Sequence, residues 1–288
     1  MIPAQFEYLA PGTLDEAVRL LAKHAEEAKI LAGGHSLIPA MKLRLAQPQM
    51  LIDIGRISDL AYIREDGNQL RIGAMTTHYQ IESSARLRQR CPLLPETAAH
   101  IGDVQVRNKG TIGGSLAHAD PAADWPAAII ALGAEMVATG AAGERTISAD
   151  DFFVDMLTTA LKPGEILREI RINLPPGRVG QSYLKVRQPA SGFAIVGVAV
   201  QLVRDSNGAC TSAGIGITGV ASVAYRARGV ESALVGTALD EQAVRDAAAH
   251  ATDGISANSD LFASAEYRRH LAQVYTRRAI ETAAARAK

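Results

Sequence analysis

Cysteine is scarce in this 288-residue chain, which carries only Cys91 and Cys210, far apart and outside any C-x-x-C pattern. That argues against a disulfide scaffold and a structural zinc site, and against an iron–sulfur cluster held by this chain alone. Net charge is missing too, with 30 Lys and Arg set against 30 Asp and Glu. Without a basic field there is no electrostatic footprint for nucleic acid, and without an acidic tail no disordered partner arm. No apolar run approaches the ~20 residues that a membrane-spanning helix needs. The opening segment MIPAQFEYLAPGT has no charged stretch followed by an apolar one, so a signal peptide is not expected and a cytoplasmic protein is the default. No internal repeat or low-complexity stretch interrupts the chain, whose length allows two or three modest domains with real cores.

Hydrophobic periodicity supplies the element order. Thr13 to Ala28 reads as a helix: Thr13 and Glu16 form a capping box, and Leu14, Ala17, Val18, Leu21, Ala22 and Ala25 make one apolar face. Residues 29–32 read as a short buried strand running into Gly33-Gly34, with a helical turn over 36–44 and a strand over 50–54. Asp66-Gly67-Asn68 marks a hairpin between strands at 61–65 and 69–74. Thr77 starts a short helix, 93–101 and 122–132 read as helices, and strands follow near 135–138, 144–147 and 166–174. The run Pro175-Pro176-Gly177 is the expected domain boundary. Beyond it, strands at 183–187, 193–204 and 210–220 precede helices at 223–234, 241–252 and 263–285, which predicts an antiparallel sheet with helices on one face.

Two glycine-rich segments are the most informative feature, Ala32-Gly33-Gly34-His35-Ser36 and Thr111-Ile112-Gly113-Gly114-Ser115. Small residues and paired glycines let backbone N–H groups crowd round one concave spot, a nest that binds anionic oxygens. One such run is commonly a tight turn, since glycine takes φ > 0 without steric cost. Two of nearly the same form point to a ligand with two adjoining phosphates, a dinucleotide. A formal G-x-G-x-x-G at Gly214-Ile215-Gly216-Ile217-Thr218-Gly219, with Asp240 further on, is read as strand because Ala213, Ile215 and Ile217 alternate with small residues and the run Asn207 to Ser212 before it is not a hydrophobic strand. His118, Asp120 and Asp124 have ligand chemistry, but no fourth ligand accompanies them. Asp124 precedes a helical stretch, where Asp commonly caps. Trp125, the sole tryptophan, reads as core, and no Ser/His/Asp or Cys/His triad is legible.

The string Leu31-Ala32-Gly33-Gly34-His35-Ser36-Leu37-Ile38-Pro39, together with Thr111 to Ser115 and Asp120-Pro121-Ala122-Ala123-Asp124, resembles the FAD-binding medium subunit of molybdenum hydroxylases. That is the xanthine dehydrogenase and aerobic carbon monoxide dehydrogenase group. Met1-Ile2-Pro3, Gly73-Ala74-Met75-Thr76 and Glu266-Tyr267-Arg268 look like the carbon monoxide dehydrogenase branch, and the likeness runs over the whole chain. It implies an α+β fold of the cresol methylhydroxylase type. Residues 1–176 would be a two-lobed FAD-binding domain, with lobes of about 1–55 and 56–176, and 177–288 a C-terminal α+β domain. It implies that Leu31, Ala32, Gly33, Gly34, His35, Ser36, Leu37 and Ile38, with Thr111, Ile112, Gly113, Gly114 and Ser115, hold the pyrophosphate through main-chain N–H groups. Asp124 matches an acid on the ribityl chain, Ile101 and Leu167 apolar contacts, and Lys185 a basic contact. Phe193 falls where close relatives place an aromatic, often Tyr, against the isoalloxazine; they often have Asn at Ser115. The stretch 187–192 departs more from the carbon monoxide branch.

The resemblance implies no catalytic acid or base and no metal ligand on this chain. It implies a large partner with molybdopterin, a small partner with two [2Fe–2S] clusters, a dimer of such heterotrimers, and an external electron acceptor such as a quinone, a cytochrome or NAD. The substrate stays open among carbon monoxide, an aldehyde, a purine and an N-heteroaromatic compound, because the reacting site lies on another chain. Two other readings stand beside it. One is a free-standing flavin oxidase of the same superfamily with FAD attached through His35; the other is a nonenzymatic nucleotide-binding module.

Overall fold

The computed structural model describes residues 1–24 and 26–287. Its first lobe contains β1 (Glu7–Leu9), α1 (Leu14–Lys23), β2 (Ala28–Leu31), α2 (Leu37–Lys42) and β3 (Met50–Asp53). The strands form a parallel sheet in the order β1-β3-β2. The Thr13 hydroxyl caps α1 by accepting from the Glu16 N–H, but the Glu16 carboxylate accepts from Gly12 rather than Thr13, so the box closes one residue early. Helix α1 ends at Lys23, short of the expected Ala28, because Ala28 is already paired with Met50 in the sheet. Ala25, expected on the apolar face, lies outside the described residues. Ala17, Val18 and Leu21 do face a core that includes Ile52, Ile54 and Leu60.

The second lobe runs through β4 (Ile63–Asp66), β5 (Gln69–Gly73), α3 (His78–Ser83), α4 (Ala85–Arg90), α5 (Leu93–Ala99), α6 (Val104–Lys109), α7 (Ile112–His118), α8 (Trp125–Ala131), β6 (Glu135–Gly140), β7 (Gly143–Ser148), α9 (Ala149–Phe152), β8 (Phe153–Asp155), β9 (Thr158–Thr159) and β10 (Ile166–Asn173). Five of these strands form an antiparallel sheet in the order β4-β5-β10-β6-β7. The Asp103 carboxylate starts helix α6 by accepting from Val106 N–H. The second glycine segment is not a loop but the first turn of α7, with Thr111 as its cap.

The third unit has β11 (Arg178–Arg187), β12 (Ala194–Arg204), β13 (Cys210–Thr218), β14 (Tyr225–Arg226), α10 (Arg228–Leu234), α11 (Glu241–Ala249) and α12 (Ala265–Arg286). The four strands pair antiparallel in chain order. Strand alternation splits β13 between two neighbours. Ile215 and Ile217 join the core under α10, α11 and α12, while Gly214 and Gly216 face α8. A Cβ on these glycines would lie 2.1 Å from the Ala131 carbonyl oxygen and 2.0 Å from that of Ala127. The G-x-G-x-x-G run is therefore strand as far as Thr218, and its first two glycines let α8 of the second lobe lie directly on the C-terminal sheet. The sheet's own helices cover one face and α8 the other.

Candidate functional site

Where the first two lobes and the edge of the C-terminal sheet meet, a cavity of about 540 Å³ opens, within the range of ligand sites. The two glycine segments meet there. A Cβ on Gly33 would lie 2.2 Å from the Lys109 carbonyl oxygen and 2.8 Å from the Gly110 Cα, so only glycine allows the first segment this close to the second lobe.

The two segments differ in what they offer. Gly34 takes φ +77°, turning the chain between β2 and α2. The N–H groups of Gly33, Gly34, His35, Ser36 and Leu37 have no acceptor among the described residues, and Ser36 makes no side-chain cap bond. In the second segment the donors that follow Thr111 are already used. Ile112 N–H donates to Thr76 O at 3.0 Å and Gly113 N–H to Ala74 O at 2.9 Å, while Gly114 N–H donates to the Thr111 hydroxyl at 3.1 Å. The two segments thus differ: the first presents free donors, while in the second the N–H groups of Ile112, Gly113 and Gly114 are engaged within the fold and the glycines leave room on the wall.

Asp124 is fixed by the C-terminal sheet. The Thr218 hydroxyl lies 2.8 Å from the carbonyl oxygens of both Pro121 and Ala123. Gly219 N–H donates to Pro121 O and Ala194 N–H to Ala122 O. Asp124 stands at the head of α8, yet its carboxylate makes no cap bond there. Instead one oxygen accepts from the Tyr183 hydroxyl at 2.5 Å and the other from Lys185 Nζ at 2.8 Å. Tyr183 and Lys185 are two apart on β11 and so share a face. Gly197 leaves the space for the phenol: a Cβ there would lie 2.4 Å from its oxygen.

All three groups are buried. Burial raises the Asp124 carboxyl, opposed by the Lys185 ammonium and its hydrogen bond. Burial lowers the Lys185 ammonium, opposed by Asp124. Burial also raises the Tyr183 phenol, and the Asp124 charge adds to it. Lys185 donates to the His100 carbonyl as well. The His100 imidazole is pushed down to about 4, by burial first and then by Arg187 and Lys185.

The residues expected at the site divide accordingly. Ala32, Gly33, Gly34, His35, Ser36, Leu37, Ile101, Thr111, Gly113, Gly114, Ser115, Asp124, Leu167 and Phe193 line the cavity. Leu31, Ile38, Ile112 and Lys185 are not on its wall; Lys185 stands behind Asp124, with no side-chain surface exposed. His78, Val106, Asp120 and His118 are also on the wall. His78 follows a Thr77–Gln80 capping box, a signal that located the helix but not the ring's position. The lining can meet an anion at the free N–H groups, a hydroxyl at Asp124 and apolar surface at Ile101, Leu167 and Phe193. The donors are preformed, so no side-chain entropy is lost in arranging them, which favours an anion.

The sequence matches two family models, described as "FAD binding domain in molybdopterin dehydrogenase" over residues 4–175 and "CO dehydrogenase flavoprotein C-terminal domain" over residues 181–283. It is 44% identical to the carbon monoxide dehydrogenase medium chain of Afipia carboxidovorans over 288 residues, covering 100% of both chains. Its fold superposes with a TM-score of 0.97 on a chain of the carbon monoxide dehydrogenase from Hydrogenophaga pseudoflava, at 44% identity and 100% coverage of both. A chain of quinoline 2-oxidoreductase from Pseudomonas putida 86 superposes with a TM-score of 0.92 at 36% identity, with 99% of each covered.

Proposed function

Since this chain belongs to the FAD-binding medium-subunit family of the molybdenum hydroxylases, and is therefore the flavoprotein component of an oxidoreductase, we propose that it is the electron-transfer subunit between [2Fe–2S] clusters on a small partner and an external acceptor. A large partner carries the molybdopterin and the hydroxylation chemistry, and the complex is a dimer of heterotrimers. The five free N–H groups of a cavity that Ile101, Leu167 and Phe193 also line carry this reading.

FAD, when bound, supplies a flavin able to exchange one electron or two, which lets one-electron clusters serve a two-electron acceptor. The chain's residues bind and orient it. Gly33 to Leu37 donate to the pyrophosphate. Asp124, paired with Lys185 and aimed by Tyr183, accepts from the ribityl hydroxyls. Ile101, Leu167 and Phe193 exclude water from the ring. None of them is required to move a proton.

The test is a pull-down of the tagged chain from its native host, with a visible spectrum of the eluate and acid precipitation of the protein. A large and a small partner, combined flavin and iron–sulfur absorbance, and yellow colour released into the acid supernatant are expected. A chain that elutes alone with flavin retained in the pellet would instead be a free-standing oxidase with FAD bound through His35.

A further inference from the structure

Trp125 and His78 form a buried pair, of which His78 lines the cavity. The indole is fully buried and the imidazole 4% exposed. Trp125 Nε1 lies 3.0 Å from His78 Nδ1, with the rings tilted at 43°. An indole N–H can only donate, so His78 Nδ1 must hold a lone pair and a neutral ring must carry its proton on Nε2. A second proton, on Nδ1, would set two N–H groups against each other and strand the indole donor in the core. Burial, with His35 and Arg107 adding to it, holds the ring's pKa down at about 4, in keeping with this.

The Nε2 edge faces Gly110, where a Cβ would come within 2.6 Å of it. Gly110 in turn packs against Gly33, which opens the run of free N–H groups. His78 Nε2–H has no acceptor among the described residues, and the residue lines the cavity. The neighbouring guanidinium of Arg107 is already committed to the Glu82 carboxylate and the Ile101 carbonyl.

We propose that His78 is a tautomer-locked, uncharged N–H donor that positions the diphosphate of the bound dinucleotide beside the first glycine segment. The proposal rests on the FAD reading above. An approaching diphosphate would ordinarily draw a proton onto a nearby imidazole. Trp125 opposes that, so the donor stays neutral and the anion meets it without a buried cation being left behind when the site empties.

The test uses the full chain stripped of flavin and titrated with FAD, ADP and riboflavin, with the emission of Trp125, its only tryptophan, as reporter. H78N retains an acceptor near the Nδ1 position for Trp125 but lacks the Nε2 donor. It should bind FAD and ADP about ten-fold more weakly, the scale of one hydrogen bond to a charged group, and riboflavin unchanged. H78Q, which carries an N–H donor at the distal position, should recover much of that loss. Nitrogen-15 NMR of the wild-type histidines should show the Nε2–H tautomer at His78, with that nitrogen shifted by ADP, and this holds even if a variant fails to fold. A folded H78N with wild-type affinity for FAD and ADP, or an Nδ1–H tautomer, overturns the proposal while leaving the FAD reading in place. A wild-type chain that binds neither ligand removes both.

Discussion

Lys185→Met probes the buried pair that fixes Asp124. The ammonium lies 2.8 Å from the carboxylate, and their side chains are 0% and 5% exposed. Methionine keeps the stem's volume but leaves a buried carboxylate with only the Tyr183 hydroxyl as partner. Breaking a buried ion pair from one side costs about 3–5 kcal/mol. The loss should depend on pH, with a definite sign. Burial already raises the Asp124 carboxyl, and Lys185 is the first force opposing that rise. In the variant the folded pKa therefore sits further above the unfolded value of about 4. A carboxyl raised in the folded state helps the fold below its unfolded pKa, and that help is lost as pH rises through the folded pKa. The deficit should be smallest near pH 4 and largest at pH 8, read as the shift in urea midpoint against wild type. The double variant D124N/K185M removes both charges while leaving Tyr183 an amide oxygen to donate to, and should recover stability to within about 1 kcal/mol of wild type. A cost for K185M below about 1 kcal/mol, the scale of an exposed pair, with no pH dependence, or a double variant no better than the single, would refute a buried pair at Asp124.

Gly33→Ala drives a Cβ to 2.2 Å from the Lys109 carbonyl oxygen, so the lobes must part there; flavin content after gel filtration should fall well below wild type. Gly214→Ala should cost about 1–3 kcal/mol or more by overpacking, since its Cβ meets α8 backbone at 2.1 Å, whereas Gly12→Ala, with nothing within 4 Å, should be near neutral in the same denaturation assay. The Cys91 thiol is buried and pushed up to about 12 by that burial, so it should label with a thiol reagent only as the protein unfolds; prompt labelling of the native chain would contradict its place in the core.

Short-range signals carried much of the architecture. Thr13 with Glu16 located the start of α1, Asp66-Gly67-Asn68 the hairpin of β4 and β5, and Thr77 the start of α3. The end of α1 was not legible, because sheet pairing at Ala28 overrides helical periodicity. Strand β1 is only three residues long and owes its conformation to pairing with β3, which leaves little trace in a local pattern. Helix α6 is six residues of mixed polarity, and the Asp103 cap that begins it had no apolar stripe after it to draw notice. At the cavity, the glycine segments announced themselves, but the contrast between free and committed donors depends on Thr76 and Ala74 carbonyls, which a motif does not show. The pairing of Asp124 with Tyr183 and Lys185 joins α8 to β11 across 59 and 61 residues. Only the packing of the C-terminal sheet on α8 brings them together. The same packing explains Gly214 and Gly216, whose place in a strand was readable while the carbonyls they accommodate were not.

The most direct measurement is a crystal or cryo-electron microscopy structure of the complex purified with its flavin. The expected result is a non-covalent FAD in the cavity, its diphosphate within hydrogen-bond distance of the N–H groups of Gly33 to Leu37, a ribityl hydroxyl on Asp124, and its ring against Ile101, Leu167 and Phe193. A diphosphate lying away from the first glycine segment, or continuous density joining His35 to the flavin, would contradict it.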